Sequence, residues 1–462
     1  MHSIFTFHDL LDNTSYEPIP LRYTPRKFVS YPDQGVFYVV ESEHNTISAD
    51  IRQTLIDQAK PEKMDTDGDE SLTNGQTNGD SHGDELDPQS FGYPKSQGQW
   101  ASCIQIVDPV TEKKVLQTVE LKDNKSAVSV ALAYFESRGE SDMYLCVGTA
   151  KDLKFTPYSY TAASIQLYKV SPDGRQLEFM HETDVPEPPL ALLPFKGKLI
   201  AGIGTDLALY DCGMRSLLRK AMQPNAVTTR IVGLKTQGSR IVVSDQVQSV
   251  TYTVHKDQVH PNLFISFADD TVARHTTCSE MLDYETTVGG DKFGNLWVVR
   301  CPAKVSEAAD ESPDGLNLTQ DKAYLAGAPN RLDSIAHYYV NDIPTSIQRT
   351  NLISGGERVI FWSGIQGTLG ALIPFTSRRQ HKMFQQLELQ LRNEDKPISG
   401  RDHLAYRSYY IPVKGIIDGD LIERFLVLSR DVREGIVTHI QGNWTTEMVD
   451  EAIWNMRSLY VF

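Results

Sequence analysis

A few short stretches carry the residue types that catalysis or ion binding would use. Gly79 to Gly83 reads GDSHG, a match to the G-x-S-x-G elbow in which a serine on a strained strand-to-helix turn attacks an acyl carbon. Asp65, Asp67 and Asp69 repeat the alternating carboxylates that open a calcium loop. GGDKFGNLWVVR, from Gly289 to Arg300, and GIGTD, from Gly202 to Asp206, place glycines where backbone N–H groups could cradle a phosphate. Each chemistry fails on its neighbours. GDSHG lies in a polar, acidic run that supplies no strained turn, and the calcium pattern has Glu70 where glycine is needed and Gln76 where a bidentate glutamate is needed. After both glycine stretches the chain continues as LWVVR and LALYD, β-branched and aromatic runs that make a strand and not the helix an anion site requires. Both are therefore predicted as hairpin turns, with Gly294 and Asn295 supplying the left-handed conformations of the first.

The elements around these turns repeat. Alternating apolar and polar residues, a short turn and a second alternating run recur in six places. These are Val36 to Ile51, Met143 answered by a run ending at Val170, Lys198 to Asp211, Arg240 to Val254, Thr286 to Arg300, and Arg358 to Phe375. Turn centres near Asp206, Gln246 and Gly294 are 40 and 48 residues apart, and Gly367 falls near that range once the polar loop from Pro302 to Asn330 is set aside. A period of about 40 to 45 residues holds the four short strands of a β-propeller blade, whereas a sandwich or barrel shows no such longer repeat. The fold class read here is all-β, a β-propeller with six blades clearly encoded, followed by a small α-helical domain. In domains this gives an N-terminal segment at 1–25 that could be a truncated blade, a propeller at 26–375 with an acidic insert at 53–98, and a helical domain at 376–462.

Composition narrows the function classes. The net charge of −15 argues against a surface built chiefly to neutralise phosphates. The insert carries about half of that charge, and with few large apolar groups to bury it is predicted to be disordered. Cys103, Cys146, Cys212, Cys278 and Cys301 are scattered without a C-x-x-C pair, the pattern of reduced thiols filling β cores. Four N-x-S/T matches, at Asn13, Asn124, Asn317 and Asn443, are read as chance, because MHSIFTFHDLLDN has neither the basic nor the apolar region of a leader. No apolar run approaches the roughly 18 residues of a membrane span, so a soluble intracellular protein is expected. Past Phe375 the period becomes helical: Met383, Phe384, Leu387 and Leu391 share one face, as do Met448, Ala452, Ile453 and Met456 after a Thr445 or Thr446 cap.

Several segments, taken together, resemble one family: LRYTPRKFV (Leu21 to Val29), QWASCIQIVDP (Gln99 to Pro109), GTAKDL (Gly148 to Leu153), ISFADDTVAR (Ile265 to Arg274), LDYETTVGGDKFGNLWVVR (Leu282 to Arg300), LIPFTS (Leu372 to Ser377) and GRDHLAYRSYYIPVKGIIDGDL (Gly400 to Leu421). It is the family of the splicing factor 3b complex third subunit, the large damaged-DNA-binding protein and the largest cleavage and polyadenylation specificity factor subunit, and the resemblance spans nearly all the chain except the insert and the tail after Phe425. It implies a non-enzymatic scaffold of propellers and a helical domain, here a seven-bladed type of propeller with Met1 falling after the first blade's hairpin. The splicing factor 3b member further implies a nuclear component of the branch-site small nuclear ribonucleoprotein. Its partners would be a large helical-repeat subunit and small subunits, with RNA contacted indirectly within the assembly and with no cofactor, membrane or small-molecule substrate. The damaged-DNA-binding relative implies an alternative, the adaptor of a cullin ubiquitin ligase, and a hydrolase using the GDSHG serine is a third reading.

A rigid ring of blades offers loops to partners without supplying catalytic groups. Candidate partner-binding residues on such loops are Glu43, His44, Asp269, Asp270, Arg274, Asp283 and Tyr284. Aspartates at blade turns equally cap neighbouring N–H groups, and His44 equally suits a satisfied turn position. Arg401, His403, Arg407, Tyr409 and Tyr410, with Asp402 among them, are dense enough in charge and aromatic surface to anchor an interface or stack a base. The alternative is an internal bridge, with Asp402 accepting from Arg401 or Arg407 while the tyrosines pack the helical domain against the propeller.

Overall fold

The computed structural model describes residues 2–4, 18–48, 51–52, 95–256, 263–312, 327–352, 356–394 and 400–459. The Asp65, Asp67 and Asp69 run, the GDSHG serine and nearly all of the acidic insert lie outside the described residues.

Antiparallel meander sheets follow one another along the chain. The first comprises Pro25–Tyr31, Val36–Thr46, Lys95–Asp108 and Lys114–Glu120, and the second Lys125–Phe135, Gly139–Lys151, Ala162–Val170 and Leu177–Val185. The third comprises Pro189–Phe195, Lys198–Ile203, Asp206–Cys212 and Leu217–Gln223, and the fourth Ile231–Gln237, Arg240–Asp245, Val250–Lys256 and Leu263–Asp269, with the two-residue strand Asn330–Arg331 added in parallel at its edge. In the fifth, Thr276–Met281, Thr286–Asp291 and Asn295–Arg300 are joined by Asp333–Tyr339, and the sixth has three strands, Pro344–Thr350, Val359–Gly364 and Leu369–Leu372. This succession of six sheets is the β-propeller arrangement, and the helices that follow it complete the fold class read from the sequence.

Contacts divide the chain into two compact units. One contains Ser15–Leu132 and Met143–Pro188; the other contains Ala133–Asp142 and Pro189–Phe462. Within the first, Tyr38, Ile104 and Ile106 of the first sheet pack against Leu145, Val147 and Tyr168 of the second. Within the second unit, neighbouring sheets share apolar clusters in turn. Ile200, Leu207 and Leu209 meet Ile231, Ile241 and Val243; Val242, Tyr252 and Phe267 meet Met281 and Trp297; Val288 and Leu296 meet Ile347 and Trp362. The first strands of its four sheets lie against one another in succession, as blades do around an axis.

Turn chemistry sets where the strands stop. Asp245 ends a strand of the fourth sheet and accepts from the amides of Thr228, Thr229, Val247 and Gln248 at 2.7–3.0 Å. Asp291 does the same in the fifth, accepting from the amides of Phe293 at 2.9 Å and Asn295 at 3.0 Å. Gly294 takes φ 88° in that turn, and a Cβ there would lie 3.0 Å from the Tyr339 ring. Asn295 is extended and buried, so the turn uses one left-handed residue where the sequence suggested two. Its amide Nδ2 instead donates to both Asp291 oxygens, at 2.9 and 3.0 Å.

Five of the six expected hairpins pair the second and third strands of their sheets. The exception is Val36 to Ile51, where a single strand runs to Thr46 and its partner is Lys95–Asp108. Asn45, at φ 60°, makes only a register shift between His44 and Thr46, and with no glycine or proline the strand carries on. The second and third strands of the first sheet are therefore far apart in sequence, ending at Thr46 and resuming at Lys95. The loop from Pro302 to Asn330 also differs from its reading, since it opens with a helix, α1 (Ala303–Glu311), whose Ala309 is fully buried.

The five cysteines are free; Cys103 sits in the first sheet, Cys146 in the second, Cys212 in the third, Cys278 in the fifth and Cys301 just after it. All but Cys278 are buried. Past Leu372 the chain forms α2 (Arg378–Glu394), α3 (Gly419–Glu423), α4 (Arg430–Thr438) and α5 (Thr446–Arg457). Met383, Phe384, Leu387 and Leu391 form a core with Phe425, Ile436, Val449, Ala452 and Ile453. Thr445 caps α5 by accepting from the Met448 amide, and Val449 takes the buried place expected of Met448, which is 38% exposed.

Candidate partner interface

The segment Gly400 to Lys414 docks on the outer strand of the fifth sheet. His337 and Lys414 exchange two backbone hydrogen bonds, at 2.9 and 3.0 Å, and the Tyr339 amide donates to the Arg407 carbonyl at 3.0 Å. These bonds occupy the edge of the sheet, which would otherwise present unpaired amides. The Lys414 ammonium closes the contact by donating to the Ser334 carbonyl at 2.7 Å.

On that backbone frame the side chains divide into an inner and an outer set. The Tyr410 hydroxyl donates to Asp291 Oδ2 at 2.7 Å, and its ring meets His337 edge-on at 5.5 Å. Burial and the Asp291 carboxylate raise the Tyr410 hydroxyl's pKa above its usual range. Tyr409 faces outward, 63% exposed, with its ring nearly parallel to those of Tyr339 at 5.6 Å and Phe293 at 6.3 Å. The result is a three-ring platform with Lys292 over its Phe293 end.

The frame's charged half centres on Asp418, which caps α3 by accepting from the Asp420 amide at 3.0 Å. Arg407 donates to Asp418 Oδ2 at 2.8 Å and to Asp420 at 2.6 Å while lying over the Tyr338 ring, and His403 pairs with the same Asp418 oxygen. Burial alone would raise the Asp418 carboxyl's pKa, but hydrogen bonds from His403 and Arg407 outweigh it and hold the group below its usual range. Asp402 pairs with Arg392 of α2, its Oδ1 3.0 Å from Nε, so the expected bridge to Arg401 or Arg407 is replaced by one to a helix the sequence did not connect with it. Arg401 is exposed.

The remaining sequence candidates fall in three other places. Asp270 and Arg274 form a buried pair at 2.7 Å, with the Arg274 guanidinium 4.9 Å from the Trp297 ring centre. Asp269 accepts from the Ala328 amide at 2.9 Å and pairs with Arg331 at 2.5 Å, tying the loop before the fifth sheet's last strand to the fourth sheet. Asp283 caps its turn by accepting from the amides of Glu285 and Thr286 at 2.8 and 2.7 Å, and Tyr284 donates to Asp310 of α1 at 3.0 Å. In the first unit, Glu43 accepts from Thr24 at 2.9 Å, and the His44 ring lies tilted against Trp100 at 4.6 Å beside the exposed Phe155. The tyrosine segment thus brings together His403, Arg407, Tyr409 and Tyr410. Asp291, His337, Tyr339 and Asp418 complete that site without having been singled out in the sequence; the signal for Asp291 was present in GGDKFGN but read only as a turn.

The profile of the CPSF A subunit region matches residues 101–427. The chain belongs to this family. The CPSF A subunit region match takes in all of the second to sixth sheets and the whole docked tyrosine segment. Relatives extend further along the chain. "Pre-mRNA-splicing factor rse1" of Emericella nidulans is 47% identical over 455 residues, 98% of this chain and 36% of the relative. "Pre-mRNA-splicing factor prp12" of Schizosaccharomyces pombe is 38% identical over 437 residues, 95% of this chain and 34% of the relative. "Splicing factor 3B subunit 3" of Danio rerio is 36% identical over 448 residues, 96% of this chain and 36% of the relative. The chain spans about a third of the length of these relatives, and a match over 98% of it takes in segments that the sequence resemblance left aside.

Proposed function

We propose that the chain acts in pre-mRNA splicing as a nuclear, non-enzymatic scaffold, part of a splicing factor 3b complex third subunit in the branch-site small nuclear ribonucleoprotein. The observation that carries this reading is the run of relatives named as splicing factors, 36–47% identical across at least 95% of the chain. Its partners are the large helical-repeat subunit and the small subunits of that complex, with RNA reached through them. Contacts run through the more exposed candidates, Tyr409, Tyr410, Arg401, Asp283, His44 and Glu43. Asp269, Asp270, Arg274, Tyr284, His403 and Arg407 hold the loops of the second unit in place through the ion pairs and hydrogen bonds described above. Exposed aromatic rings fixed by neighbouring rings suit an anchoring role, because little side-chain freedom is lost on binding.

Affinity purification of the tagged chain from nuclear extract tests the proposal. Recovery of a large helical-repeat splicing subunit and small subunits is expected. Recovery of a cullin and substrate receptors in their place would convert the reading to a ligase adaptor, and serine-hydrolase activity abolished by Ser81→Ala would overturn the non-enzymatic one.

A further inference from the structure

Behind Tyr410 lies a polar cluster whose hydrogen bonding the protein does not complete. Gly289, Trp297 and His337 stand opposite one another on adjacent strands of the fifth sheet, so their side-chain positions share one face. Trp297 lies flat across Gly289, where a Cβ would come within 2.1 Å of the ring. Arg274 covers the Trp297 ring, and Tyr410 closes over His337 while bonding Asp291. Trp297, Arg274, His337 and Asn295 are all fully buried or nearly so. Yet five of their polar atoms, Arg274 Nη1, Asn295 Oδ1, Trp297 Nε1 and both ring nitrogens of His337, meet no hydrogen-bond partner among the described residues. Buried polar groups left so cost about 1–3 kcal/mol each.

The chemistry of these atoms selects the ligand. Arg274 Nη1 and Trp297 Nε1 only donate, whereas Asn295 Oδ1 only accepts, its orientation fixed because Nδ2 donates to both oxygens of Asp291. Neutral His337 needs one donor and one acceptor. An anion would serve the donors but could give nothing to Asn295 or to the bare nitrogen of His337. It would also sit beside two carboxylates, Asp270 and Asp291, with Arg274 as the facing cation. Water both donates and accepts, and carries no charge. We propose that the core of the fifth sheet is a built water site, in which at least two ordered waters bridge Arg274, Asn295, Trp297 and His337 beneath Tyr410. Two are needed because the nitrogens of one imidazole ring point away from each other, and a buried water makes about three hydrogen bonds.

A crystal structure of the chain at about 1.8 Å or better, with a bromide-soaked crystal beside it, tests the assignment directly. Two or more well-ordered waters, each bonded to at least two of the five atoms and unchanged by bromide, are expected. An anomalous bromide peak among Arg274, Trp297 and His337 would overturn the assignment in favour of an anion, and side chains repacked to pair with one another would overturn it altogether. In solution, oxygen-17 relaxation dispersion should count at least one fewer long-lived water in His337→Phe than in the parent. An unchanged count in a folded variant would sink the proposal, and if His337→Phe does not fold the crystallographic arms still decide it.

Discussion

At Tyr410 one hydroxyl joins the docked segment to the end of a central strand, and Tyr410→Phe removes that bond while keeping the ring. The expected loss is about 1–2 kcal/mol in urea unfolding, since hydrogen bonds to a buried carboxylate are among the stronger ones. Tyr409→Ala should cost only about 1 kcal/mol from the lost ring stacking and yet release splicing partners in a pull-down. Equal loss of folding in both variants would make the tyrosines purely internal. Two buried titratable groups should give stability a pH dependence of opposite sign. Burial and the Arg274 charge lower the His337 pKa to about 4, so between pH 4 and 6.5 the unfolded chain binds the extra proton and stability falls with acid. Burial raises the Glu41 pKa to about 7 against its Tyr23 amide bond, so between pH 4.5 and 7 the folded chain binds the extra proton and stability falls as pH rises. Glu41→Gln should therefore steepen, and His337→Phe flatten, the rise of unfolding free energy between pH 5 and 6.5. Each change is at most about 1.4 kcal/mol per pH unit, read from denaturant titrations.

Hairpins were legible because most of them close within a few residues, so that alternation and a glycine or aspartate turn are enough to specify them. The pair Val36–Thr46 and Lys95–Asp108 was not, because its strands are separated by a long polar segment and the only local cue, Asn45, makes a bulge. Helix α1 was missed for a related reason: it is held by a distant partner, with the fully buried Arg240 donating to Ser306 at 3.0 Å and to Asp310 at 2.9 Å. Arg240 itself lies between the rings of Phe267 and Tyr284, 4.7 and 4.2 Å from their centres. Because Thr46 and Lys95 are opposite one another, replacing residues 47–94 by Asn-Gly should close the pair as an ordinary tight hairpin. Its thermal midpoint is expected to match that of the parent; a collapse of the β circular-dichroism signal would show that the segment does more than connect. Gly289→Ala, by contrast, should cost about 1–3 kcal/mol, because the added Cβ would come within 2.1 Å of the Trp297 ring and force it to shift.

Across the molecule the charge of −15 sets what the chain meets on its own. Filter binding of a short single-stranded RNA at about micromolar protein and physiological salt should retain nothing, since weak non-specific binding rests on cationic surface. Retention that Tyr409→Ala abolishes would instead make the ring platform a base-stacking site. The helical module shows how far pattern reading reaches at this scale. The apolar stripe of α2 was readable, but the module's attachment through His403, Arg407 and Asp418 depends on residues brought together only when Gly400 to Lys414 folds back on the sheet. The distribution of thiols has a practical use. Burial raises the thiol pKa of Cys278 and Cys301 to about 11 and that of Cys103 above its usual range, so maleimide reagents should find them inert while their sheets stay closed. With Cys146 and Cys212 in sheets of their own, timed pulses followed by peptide mass spectrometry would report the order in which four different blades come apart, using only sulfur atoms the chain already has.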